Sequence, residues 1–170
     1  MNDEQHAFWL AYIRQLADLL GLKDWRIDLD RDPVNREGPG ASNYTYYGRK
    51  AADIALGPSF PNQSPEDQRW ILAHECLHCH FDRLHKGVID YAESKGDSDD
   101  SYFAKAHLRD FEAVVDTMAV IIAPFLPLPG QGGLFGAEWD AQLARLAEQD
   151  ERTMAVVRKT WQPVTVGGEG

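Results

Sequence analysis

Basic charge is scarce in this chain. Of 170 residues, 17 are Lys or Arg against 27 Asp or Glu, which sets a formal net charge of −10. The pI is near 4.9. Nonspecific nucleic-acid affinity comes from clustered Lys and Arg, so a nucleic-acid partner is not expected. Cysteine is nearly missing as well. Cys76 and Cys79 are the only two, and they make no disulfide framework. No apolar run approaches the ~18 residues that span a bilayer, so no membrane partner is expected either. The opening Met-Asn-Asp-Glu-Gln-His is acidic and polar where a secretory signal is basic and then apolar. These absences set the expectation of a soluble, cytoplasmic protein. What is present is ordinary for a globular chain: 44% hydrophobic and 26% charged residues, which exclude disorder, collagen and coiled coil. The length suits one domain with its own core, expected over 1–163, with a flexible tail at 164–170.

Residues 3–20 read as an amphipathic helix with Phe8, Ala11, Tyr12, Gln15, Leu16 and Leu19 at 3–4 spacing and Gly21 as its stop. Trp25, Ile27 and Leu29 alternate with charged residues, the pattern of a half-buried strand. Two further strands, 43–47 and 51–56, are expected to pair across Gly48-Arg49-Lys50. Ser64 as N-cap, Pro65 at the first helical position and Asp67 at the third open a second helix. Trp70, Ala73, Leu77, Phe81 and Leu84 form its apolar stripe, and Lys86-Gly87 is read as its end. Residues 92–101 read as a solvated loop. A third helix runs from about Tyr102 to Ala123, and a fourth covers roughly 137–161. The expectation is an α+β fold with a small three-stranded twisted sheet.

Within the second helix stands His74-Glu75-Cys76-Leu77-His78. Residues i and i+4 lie one turn apart on one helix face, so both imidazoles can reach a single ion at ~2.0–2.1 Å. Glu75 lies about 100° round from His74, beside the ion and free to accept a proton from water. A catalytic zinc needs a third protein ligand and one open position. Downstream candidates are His80, His85, Tyr91, Glu93, His107, Glu112 and Asp116. His80 lies about 240° from His74, and His85 is nearly two turns past His78. Phe81 and Leu84 occupy the positions where a metzincin carries Gly and His, which excludes that pattern. Glu112 is the stronger candidate. It stands on an otherwise apolar helix, with Asp116 at i+4 and small Ala119 at i+7, a face that permits close approach to the histidine helix. Acids on such a helix are costly to bury unless paired or metal-bound.

His74-Glu-x-x-His78 followed by Glu112-x-x-x-Asp116 resembles the gluzincin arrangement of zinc metallopeptidases. More closely, the chain resembles the small metallopeptidase-like proteins of phages and prophages. The resembling elements are Trp25-Arg-Ile27, the run Arg69–His78, Glu112-x-x-Val-Asp116-x-x-Ala119 and Pro124–Pro129, covering roughly residues 5–130. Cys76 and Cys79 depart from it, since aliphatic residues are usual there. The resemblance implies a zincin-like domain with a backing helix, one zinc ion per chain on His74, His78 and Glu112, and Asp116 orienting a ligand histidine. It implies zinc-dependent hydrolysis of a peptide or protein substrate with Glu75 as general base.

Other residues carry weaker signals. Tyr102 and His107 are candidates for oxyanion or substrate contacts. Tyr44, Tyr46 and Tyr47 read either as a substrate-lining wall or as core aromatics; in zincins the edge strand commonly pairs with extended substrate. The two cysteines, on the helix face opposite the histidines, are expected to be buried free thiols. The rival reading of the whole chain is a catalytically silent zinc-binding accessory or interaction protein. A third is a protease acting on DNA-bound proteins or on a regulator, and the −10 charge argues against the first of these two.

Overall fold

The structure, a computed structural model, describes residues 1–31, 40–46, 48–98 and 101–130. The expected fourth helix, the tail and Tyr47 lie outside the described residues. In chain order come α1 (Asp3–Leu19), β1 (Arg26–Leu29), β2 (Ala41–Tyr46), β3 (Ala51–Leu56), α2 (Pro65–Ser94) and α3 (Tyr102–Ile122), with short 3-10 turns at Phe60–Asn62 and Ala123–Phe125. These residues form a mixed α+β arrangement within one unit, Met1–Gly130.

Each helix starts where a side chain can satisfy its free N–H groups. Asn2 accepts from the Gln5 N–H at 2.8 Å while the Gln5 side chain accepts from the Asn2 N–H at 3.1 Å, a reciprocal cap not anticipated from the sequence. Ser64 accepts from the Asp67 N–H at 3.1 Å, as expected, and its hydroxyl donates to the Asp67 carboxylate at 2.7 Å. Ser101 caps α3 through the Ala104 N–H. At the other end, α1 stops at Gly21, whose φ of +79° lets the Leu22 N–H fold back to the Ala17 carbonyl.

The expected stop of α2 at Lys86-Gly87 is wrong. The helix runs on to Ser94 and ends at Gly96, φ +86°, where the Asp97 N–H reaches the Ala92 carbonyl. Glycine inside a helix costs only ~1 kcal/mol. The Lys86–Asp90 ion pair at 2.7 Å spans Gly87, and Ala92 beyond it is buried. Only positions 95–101 connect α2 to α3.

The sheet has the order β1-β3-β2, with β1 parallel and β2 antiparallel to β3. The expected hairpin pairs Tyr46 with Ala51 and Ala41 with Leu56. Ile27 and Leu29 of β1 and Ala52, Ile54 and Leu56 of β3 join Tyr12, Ile13 and Leu16 of α1 and Leu72, Cys76 and Cys79 of α2 in the main core. The inward face of α1 is rotated from the expected stripe: Ile13 and Ala17 are buried while Phe8 and Ala11 are exposed. Leu84 is likewise exposed, at the solvent side of α2. A second small cluster, Leu77 with Val115 and Ala119, joins α2 to α3, so the small face of α3 does allow the close approach. No helix among the described residues is long and apolar enough to cross a membrane.

Candidate metal centre

The α2–α3 contact through Leu77, Val115 and Ala119 brings Glu112 over the histidine pair. His74 Nε2 and His78 Nε2 are 3.0 Å apart. Glu112 Oε2 lies 3.4 Å from the first and 3.6 Å from the second. Donors bound at ~2.0–2.1 Å round a tetrahedral ion stand ~3.3–3.4 Å from one another, and the three observed separations straddle that value. Among the described residues this is the one group of three or more His, Cys, Asp or Glu that could hold a metal ion. Two imidazoles and a carboxylate are a donor set that suits a divalent transition ion.

Asp116, a turn beyond Glu112, places Oδ1 2.9 Å from His74 Nδ1. The oxygen lies off the ring N–H direction, so the buried Nδ1 has its acceptor at hand without an aligned bond. The Trp70 ring packs against that of His74, with centroids 6.0 Å apart, and the Phe111 ring against that of His78, at 5.3 Å.

Glu75 points beside the cluster and is 6% exposed. Burial, with Glu112 and Asp116 adding negative charge nearby, pushes its carboxyl up to about 8. Burial and the neighbouring His74 and His85 bring His78 down to about 4, so its ring is neutral and ready to ligate at ordinary pH. Burial also raises Glu112, against the pull of His74.

In front of these groups opens a cleft of about 660 Å³. One wall is β2 with Tyr44 and Tyr46; the other is α2 and α3 with His85, Leu108 and Phe111. For Tyr44 and Tyr46 the cleft wall is the reading the structure supports, since both line the cleft and Tyr44 is 67% exposed. Tyr102 and His107 do not line the cleft. Tyr102 is 86% exposed at the start of α3. It stands ten residues, or ~15 Å of helix, before Glu112. His107 Nε2 is hydrogen-bonded to His85 Nδ1 at 3.1 Å. His80 turns away and bonds the Leu20 carbonyl at 2.8 Å. Both cysteines are free and buried, their thiols raised by that burial, Cys79 to about 11.

Two contacts in the cleft had no sequence signal. Asn43 Nδ2 donates to the Glu75 carbonyl at 2.7 Å, and the Thr45 hydroxyl bonds the Asp82 carboxylate. Both join β2 to α2 across more than 30 residues of chain, beyond the reach of local patterning.

A scan against protein families and searches of curated proteins and of solved structures find no match to this chain.

Proposed function

We propose that this protein is a zinc-dependent metallopeptidase of gluzincin type, acting on an extended peptide or protein segment. The observation that carries the reading is the convergence of three donors from two helices at tetrahedral spacing, with a buried carboxylate beside them and a cleft in front. His74, His78 and Glu112 would hold the ion, leaving one position open as catalytic sites require. A zinc ion there supplies a Lewis acid that makes water a nucleophile near neutral pH and polarises a carbonyl. Asp116, with Oδ1 2.9 Å from His74 Nδ1, would fix the tautomer and plane of that ring once its carboxylate turns into line with the N–H. Glu75 accepts the proton of the attacking water and delivers it to the leaving amine. β2, at the edge of the sheet and forming one wall of the cleft, offers main-chain groups to an extended substrate.

The experiment is a peptide-library digest with the zinc-loaded protein and its Glu75→Gln variant. The expected result is cleavage by the first and none by the second, with about one equivalent of zinc in each. Equal cleavage by both removes Glu75 as general base. Zinc without cleavage of any peptide favours the rival, a silent zinc-binding accessory protein, because fold and metal alone do not make an enzyme.

A further inference from the structure

The hairpin pairing decides which backbone groups of β2 turn away from β3. The Gly57 N–H donates to the Gly40 carbonyl at 2.8 Å. The register continues with Ser42 opposite Ala55, Tyr44 opposite Asp53 and Tyr46 opposite Ala51. Bonded and non-bonded pairs alternate along an antiparallel ladder. Gly40, Ser42, Tyr44 and Tyr46 therefore aim their N–H and C=O at β3. Ala41, Asn43 and Thr45 aim theirs at the open edge. The other side of β3 agrees with this alternation, since Lys50 and Ile54 turn their carbonyls to Arg26 and Asp30 at the β1 side.

The same two residues, Asn43 and Thr45, use their side chains to grip α2. Asn43 Nδ2 lies 2.7 Å from the Glu75 carbonyl and 3.5 Å from Cys79 Sγ, and the Thr45 hydroxyl meets the Asp82 carboxylate. Residues two apart on a strand share a face, and Glu75, Cys79 and Asp82 at i, i+4 and i+7 share a helix stripe. One row of the strand is thus clipped to one row of the helix, and the first clip is on the backbone of Glu75 itself.

We propose that Asn43 and Thr45 are positioning residues: they hold the open edge of β2 against α2 so that a peptide added to that edge meets the His74–His78–Glu112 group in one register. The inference rests on the peptidase reading. A strand-added peptide is bonded through its main chain, and a slip by one repeat moves it by two residues, ~6.6–6.8 Å. A misplacement of ~1 Å at a reacting centre can cost ~10²-fold. Among the described residues β2 pairs with a strand on one side only, and these side chains tie its other edge to α2.

The test uses zinc-loaded full-length protein and two probes in calorimetric titrations. Acetohydroxamate needs the metal alone; a hexapeptide hydroxamate needs the metal and the strand edge. Wild type is expected to bind the peptide probe at least about tenfold more tightly, the gain main-chain bonding supplies. Asn43→Ala and Thr45→Val should keep the zinc and bind acetohydroxamate within about twofold of wild type, yet lose the peptide advantage. Asp82→Asn, which preserves an acceptor for the Thr45 hydroxyl, should restore what Asp82→Ala removes. A general structural role would weaken both probes alike, and that result overturns the proposal. So does an unchanged peptide advantage in Asn43→Ala and Thr45→Val, or none in wild type. A wild type that holds no zinc overturns the metal reading, and this inference with it.

Discussion

Asp116 is the residue whose role is easiest to separate from that of its neighbours. It is half-exposed, makes no contribution to the core, and lies 2.9 Å from His74 Nδ1. Asp116→Asn should therefore leave the fold intact while weakening zinc by about 10–100-fold, as loss of such an outer carboxylate usually does. A competitive chelator titration measures this, and an unchanged affinity makes Asp116 an ordinary surface acid. Glu112→Ala removes a ligand and should lower affinity further; full affinity in that variant denies Glu112 its place. Native-state labelling of Cys76 and Cys79 should be slow and become fast in denaturant, since both thiols are buried and raised. These residues differ in how they could be read. His74, Glu75 and His78 are legible because helix geometry alone sets their relation. Glu112 and Asp116 needed the further observation of acids on an apolar helix. Asn43 and Thr45 could not be found, because their partners Glu75 and Asp82 are distant in the chain and polar strand residues are mostly solvated.

At the scale of the element, the signals that worked were those with a stereochemical cause. Ser64-Pro65 opens α2 because the serine hydroxyl and the fixed proline φ both suit a first turn. Gly21 closes α1 because its φ is positive. Gly87 misled because glycine marks a helix end only when it takes the left-handed conformation, and Gly87 does not; Gly96 does. A Cβ built on Gly87 meets no atom within 4 Å. Gly87→Ala should accordingly stabilise the protein by ~0.5–1 kcal/mol, through a smaller entropy loss on folding. Urea unfolding decides it, and destabilisation would mean that α2 is strained or broken there. Ser64→Ala should act in the opposite direction, costing ~1 kcal/mol by leaving the Asp67 N–H without its cap. The buried face of α1 departs from the sequence pattern for a different reason. Aromatic Phe8 looks like a core residue, but the sheet and α2 select Ile13 and Ala17 instead, and only tertiary contact makes that choice.

For the whole molecule, the local patterns foretold three strands and the hairpin but not that β1 would join β3 in parallel, since strand order follows from the packing of α1 and α2 over the sheet. That packing also buries two ionisable groups with opposite consequences. In the metal-free protein Glu75 is raised from 4.5 to about 8, first by burial and then by Glu112 and Asp116. Between those values the folded chain keeps a proton that the unfolded chain has released, so stability falls as pH rises from about 4.5 to about 8. His78 is lowered from 6.5 to about 4 by burial, His74 and His85. Between those values the unfolded chain takes up a proton that the folded chain refuses, so stability falls as pH drops from about 6.5 to about 4. The two slopes oppose each other between about 4.5 and 6.5, which predicts a plateau there and a decline on either side. Glu75→Gln removes the alkaline decline alone. After chelation, the variant should match wild type near pH 4.5 and exceed it by a few kcal/mol at pH 8, at ~1.36 kcal/mol per unit of pKa displacement. Urea unfolding across that range makes the comparison. Parallel curves for the two proteins would mean that Glu75 ionises freely in the fold, and that its carboxyl is hydrated instead of enclosed beside the histidines.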